Sequence, residues 1–231
     1  MKKLNGFTLA EVLIVTVIIG IIAAISIPII SENIKNKDLE SRFTKANSIL
    51  KQTVARAEAE EGNFTNWAWI TSDKIFFEYF TPHLAVTKVC KPNEDGCEDD
   101  IEYKYLKGTP APSNVFPKNL TRFITADGAK WLIGVNANCV AKGEYCAIIR
   151  VDVNGDAPPN VYGRDLFTFF MLPYTNEVKP EGMYEFPLAY DENQGWKEYE
   201  RSEIESDCNT QNGGGTLCGA KIILDGYKMK Y

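Results

Sequence analysis

The chain opens on a polarity pattern that changes character twice. Residues 12–30 are an almost unbroken apolar run, and the nineteen of them form a helix of roughly 28 Å at about 1.5 Å per residue, close to the hydrocarbon thickness of a bilayer. Lys2 and Lys3 precede the run and no basic residue lies inside it, which places the N-terminus in the cytoplasm and exports the remainder. Beyond Pro28 the pattern becomes periodic. Leu39, Phe43, Ala46, Leu50, Val54 and Ala57 recur at three- and four-residue spacing, with Lys37, Glu40, Arg42, Lys45 and Lys51 on the other face. That is an amphipathic helix whose apolar stripe covers a sheet. Gly62 and Asn63 supply a stop, so one helix is predicted from about Thr8 to Glu61, roughly 80 Å at the standard rise. Pro28 lacks an N–H and its ring crowds the Ala24 carbonyl, predicting a kink or a loosened stretch there, with simple curvature as the alternative.

After the helix the period changes. Ile75, Phe76, Tyr79, Phe80 and Leu84 predict a shorter helix over 71–86, capped by Ser72 or Asp73, with Pro82 disturbing its last turn. Residues 90–117 are rich in Pro, Gly, Asn and acids and read as loop. Segments 121–125 and 130–135 flank the Asp127-Gly128 turn of a hairpin. Segment 145–153 is the strongest strand signal and ends at Asn154-Gly155, and 165–171 follows a Pro-rich loop. The expected fold is α+β: a long N-terminal helix packed on an antiparallel sheet of about four strands. The tail after Pro187 gives little, and 220–224 fits a last strand or a helical turn.

One residue of the opening run is out of place. Glu11 puts a carboxylate at the start of a lipid-facing helix, where an unpaired charge costs on the order of 2.5 kcal/mol or more. The stretch Gly6, Phe7, Thr8, Leu9, Ala10, Glu11, Val12, Leu13, Ile14 closely resembles the processing and assembly motif of type IV pilins and type II secretion pseudopilins. The resemblance implies a prepilin peptidase that cuts between Gly6 and Phe7 and N-methylates Phe7. It further implies that the helix is retained in the inner membrane and later packed with other pilin-like subunits in a filament core. Gly20 and Pro28 fall where that family carries helix-softening residues. Cleavage would set the Phe7 ammonium one helical turn from Glu11, and a neighbouring subunit could offer its own, so either pairing removes the lone charge. The expected organisation is a leader at 1–6, a transmembrane and filament-core helix at 7–30, its amphipathic continuation at 31–62 and an extracytoplasmic pilin-like domain at 63–231. An ordinary secretory signal fits less well, since its apolar region is usually about 7 to 15 residues.

Six cysteines fall in three close couples, Cys90 with Cys97, Cys139 with Cys146 and Cys208 with Cys218. An exported domain retains disulfides, and although six cysteines allow fifteen connectivities, turn-rich residues inside each couple favour sequential pairing. A zinc site lacks a Cys-x-x-Cys and has one His to draw on. Asp152, Asn154 and Asp156 place oxygen side chains at alternate positions of a turn, with Asp165 further on, as a hard cation such as Ca²⁺ requires. The EF-hand pattern fails at Ala157 and Gly163, and a hairpin turn with solvated carboxylates is the leading reading. Some pseudopilins hold calcium in a loop, so by resemblance calcium is the one cofactor raised.

The net charge of −6 becomes −8 once Lys2 and Lys3 leave, which disfavours generic nucleic-acid binding. His83 beside Pro82 reads as an exposed or capping residue. No nucleophile elbow, phosphate-binding loop or metalloprotease motif occurs. The expected function is structural rather than enzymatic: a subunit of a type IV pilus or type II secretion pseudopilus. The alternative is a membrane-anchored binding or hydrolytic domain that never polymerises.

Overall fold

The computed structural model describes residues 8–95, 97, 101–137, 139–183 and 199–231. Helix α1 spans Leu9–Glu61, and the chain divides after Asp38 into two units. In the first unit every Val, Leu and Ile of residues 12–27 is at least 50% exposed, so its apolar surface finds no cover among the described residues. By length and composition α1 can cross a membrane.

The second unit, Leu39–Tyr231, is built around the amphipathic half of α1. Gly62 ends the helix in the left-handed region at φ 82° and donates to the Glu58 carbonyl at 2.9 Å. Two indoles then lock the end. Trp67 Nε1 donates to the Gly62 carbonyl and Trp69 Nε1 to the Phe64 carbonyl, each at 2.9 Å, while Trp67 stacks on Tyr79 with centroids 4.1 Å apart.

Next comes a composite helical stretch: α2 at Ser72–Ile75, a π turn at Phe76–Phe80 and a 3₁₀ turn at Thr81–His83. Thr71 caps it, its hydroxyl accepting from the Lys74 N–H, where the sequence reading offers Ser72 or Asp73. Pro82 sits within the 3₁₀ turn, where its missing N–H is tolerated. Phe76 and Phe80 point into the core, and Phe77 is left partly exposed.

The sheet has six strands rather than about four. β1 (Val86–Cys90), β2 (Thr121–Thr125), β3 (Lys130–Val135), β4 (Ala147–Asp152), β5 (Leu166–Leu172) and β6 (Glu177–Pro180) form an antiparallel meander in chain order. The two additional strands are its edges. Strand β1 carries a bulge between Val86 and Lys88 that breaks the two-residue alternation, and β6 is four residues ending in Pro180. Bulges, lysines and prolines are what protect free edges from pairing, and they also erase the strand signal.

Alternation along the central strands sorts the side chains. Phe123, Trp131, Ile133, Ile149, Val151, Phe167, Phe169 and Met171 join the α1 stripe Leu39, Phe43, Ala46, Leu50, Val54 and Ala57 in the main core. Phe43 is fully buried with its ring centroid 4.5 Å from that of Phe167. The opposite face is covered too: Leu132 and Leu166 pack under Tyr103, Val115, Phe116 and Tyr162. Every residue of β5 is therefore buried. The C-terminal region adds α4 (Arg201–Asp207) and α5 (Cys218–Leu224), which settles 220–224 as helix; a third short helix, α3 (Cys139–Lys142), lies between β3 and β4.

Candidate functional site

The helix begins with a capping box. The Thr8 hydroxyl accepts from the Glu11 N–H at 3.3 Å, and Glu11 Oε2 accepts from the Thr8 N–H at 2.8 Å and from its hydroxyl at 2.7 Å. Glu11 thus satisfies first-turn donors of its own helix, with its negative charge at the positive end of the helix dipole. The sequence reading starts the helix near Thr8 without giving it a capping role, although Thr-x-x-Glu ahead of an apolar run is a legible start signal. Gly6 and Phe7 lie outside the described residues. Helix α1 continues through Gly20 and Pro28, and a Cβ added at Gly20 would meet nothing within 4 Å.

Residues 1–27 match the family model described as the prokaryotic N-terminal methylation motif. No solved structure matches the chain. The chain carries the type IV pilin and pseudopilin signature. The matched stretch takes in Gly6, Phe7, Glu11 and Gly20 and stops one residue before Pro28. The motif implies processing by a prepilin peptidase and assembly with other pilin subunits, and its family is structural rather than enzymatic. Among the described residues α1 is the one helix long and apolar enough to cross a membrane, and together with the motif it suggests anchoring by a single helix.

In the second unit three disulfides join Cys90 to Cys97, Cys139 to Cys146 and Cys208 to Cys218, with Cα atoms 5.9, 4.9 and 5.3 Å apart. The first closes a loop at the end of β1, the second a turn around α3, and the third ties the end of α4 to the start of α5. Asp207 lies against the third. Its sulfurs are bonded to each other and offer no thiolate to a metal. The Asp207 carboxylate instead accepts from the Gly214 N–H at 3.1 Å and the Leu217 N–H at 2.8 Å, shaping the glycine loop.

The loop from β4 to β5 holds the acidic constellation. Asp152 ends β4 opposite Leu166, and both it and Asp165 are fully buried. Asp152 accepts from the Tyr103 hydroxyl at 3.0 Å and the Asn154 N–H at 3.2 Å. Asp165 accepts from the Asn160 and Val161 N–H groups, both at 2.7 Å. Burial, then the neighbouring Asp165 charge, push the Asp152 carboxyl up to about 8. Burial raises Asp165 to about 6 against the pull of those N–H donors. Asp156 does not join them. It is exposed and pairs with Lys130. Two amide oxygens of the same loop, Asn154 Oδ1 and Asn160 Oδ1, are buried without a hydrogen-bond partner. Asn160 stands outside the sequence reading because only the folded loop, with Asn160 at φ 55°, returns it to this place.

Two further groups complete the picture. His83 is largely buried, with Nε2 3.8 Å from a Glu60 carboxylate oxygen, so of the two roles expected beside Pro82, exposed or capping, it does not take the exposed one. Glu181 follows β6 with its carboxyl enclosed, although the residue as a whole is half-buried. Burial raises its carboxyl to about 7, with the Asp207 charge pushing the same way and the Thr168 hydrogen bond and Arg150 opposing.

Proposed function

We propose that this chain is a structural subunit of a type IV pilus or type II secretion pseudopilus. It is cut between Gly6 and Phe7, held in the inner membrane by residues 7–30, and assembled through that helix into an extracytoplasmic filament. The observation that carries the reading is the methylation motif placed on a helix whose Val, Leu and Ile side chains over residues 12–27 are all exposed. Such a surface needs lipid or other helices around it. Glu11 is the assembly residue in this account, offering its carboxylate to the Phe7 ammonium of its own or a neighbouring chain. Residues 31–62 dock the helix on a pilin-like body at 63–231. Lys2 and Lys3 keep the leader cytoplasmic.

The reading is tested by imaging filaments sheared from cells and probed for this subunit, in wild type and Glu11→Leu. Leu at 11 removes a charge from the membrane segment, so the variant should insert and be cut normally yet build no filaments. Wild-type filament yield from Glu11→Leu would favour the membrane-anchored, non-polymerising alternative.

A second reading is supported by the two unpartnered amide oxygens. Asp152, Asp165, Asn154 and Asn160 form an all-oxygen donor set suited to a hard cation such as Ca²⁺, with Asp156 turned aside to Lys130. Calcium should raise the melting temperature of wild type and of Asp156→Ala, and leave Asp152→Asn unmoved. A wild-type melting curve indifferent to millimolar Ca²⁺ removes the ion from the account.

A further inference from the structure

The last residues of the chain return to the place where the docked half of α1 begins. Helix α5 ends in a hydrogen-bonded turn in which the Tyr227 N–H donates to the Ile222 carbonyl at 2.7 Å and the Gly226 N–H to the Ile223 carbonyl at 3.1 Å. Gly226 and Tyr227 stand at φ 71° and 63°, the left-handed conformation that turns a chain off a helix end. Tyr227 is not glycine and pays for that backbone, so something downstream must hold it.

What holds it is α1. Glu40 Oε1 accepts from the Met229 N–H at 2.7 Å, and Glu40 Oε2 lies 3.4 Å from Lys228 Nζ. Asn47, two turns further along and itself 4% exposed, donates from Nδ2 to the Tyr227 hydroxyl at 3.3 Å. The Tyr231 hydroxyl donates to the Gly163 carbonyl in the loop before β5. Tyr227, Met229 and Tyr231 all pack against the main core. The segment is therefore tied to the first two turns of the docked helix and fastened again at Gly163.

We propose that residues 226–231 are a clasp that keeps the docked half of α1 from peeling off the sheet, beginning at Leu39. The mechanics follow from the order of contacts. Force reaching the body along the helix arrives first at Leu39, and a packed helix detaches turn by turn from its loaded end. The energy holding the first turns then sets the load at which peeling starts. Phe43 is wedged there between Phe167 and α5, where a Cβ built on Gly219 would sit 3.6 Å from its ring. The clasp adds a hydrogen bond to a carboxylate across the same turns. Lys228 is largely exposed, so its ion pair is the minor part and the Met229 N–H bond the major one. Its use under tension rests on the filament reading, whereas the clasp itself does not.

Hydrogen exchange on the full chain in detergent micelles tests the proposal without any filament. Glu40→Ala, and separately removal of residues 228–231, should speed exchange of the amides in residues 39–50 by about tenfold or more, the scale of one hydrogen bond to a charged group. Amides of β4 and β5 should keep wild-type rates. Unchanged exchange in 39–50 overturns the clasp. Should Glu40→Ala unfold the sheet as well, the milder Tyr231→Phe decides: faster exchange confined to 39–50 supports the clasp, and wild-type rates there reject it.

Discussion

Glu181 gives the most quantitative prediction. Its carboxyl is raised from 4.5 to about 7, mainly by burial, so ionising it in the fold costs about 3 kcal/mol more than in the unfolded chain. The sign is fixed by that shift. The folded state holds the proton more tightly than the unfolded state. The fold is therefore fully favoured below pH 4.5, and it loses that advantage as pH rises through about 7. Glu181→Gln keeps the shape and a hydrogen-bonding group beside Thr168 but removes the charge that would face Asp207. Thermal melts of the full chain in micelles, followed by circular dichroism, should show the two proteins close together at pH 4.5. At pH 8 the Gln variant should melt about 6–12 °C higher, the equivalent of about 3 kcal/mol for a body of this size. Asp152 and Asp165 titrate in the same sense, at about 8 and about 6, but in both proteins, so the difference between the curves isolates Glu181. A gap that does not widen with pH would refute the reasoning.

Three further perturbations probe the body. Phe43→Ala removes a fully buried ring from the helix–sheet seam and should destabilise the second unit by about 3–5 kcal/mol in urea unfolding. Gly163→Ala should cost at least about 2 kcal/mol in the same assay, because φ is +81° and the new Cβ would lie 2.8 Å from both Cys218 Sγ and the Gly215 carbonyl. Asp156→Ala should change stability by less than about 1 kcal/mol, since its pair with Lys130 is largely exposed on the Asp156 side.

Periodicity over many residues was readable and short irregular elements were not. The 39–57 stripe repeats often enough to name both the element and its buried face, and β3 to β5 are β-prone runs bounded by turn signals. Strand β1 hides behind its bulge and behind an aromatic run whose helical spacing invites a longer helix than Thr81–His83 allows. Helices α4 and α5 each have seven residues, too few for a periodic signal, and a disulfide holds them together. At the acidic loop, Asp152 and Asn154 lie two residues apart in the sequence and are easily suspected together. Asp165 and Asn160 arrive through the folding of the intervening turn, and Asp156 is drawn off by Lys130, a residue of the neighbouring strand β3. Glu181 gives no signal at all, since its environment is assembled from Thr168, Arg150 and Asp207 on three separate elements.

The N-terminus of the mature protein tests the central claim most directly. Purified from the membrane or from filaments and analysed by mass spectrometry, the chain should begin at Phe7 carrying one N-methyl group, and replacing Gly6 with a bulky residue should leave an uncut precursor still anchored through residues 12–30. A mature chain beginning near Ile27, in the manner of an ordinary secretory signal, would contradict the account, because the apolar helix on which anchoring and assembly depend would then be absent from the finished protein.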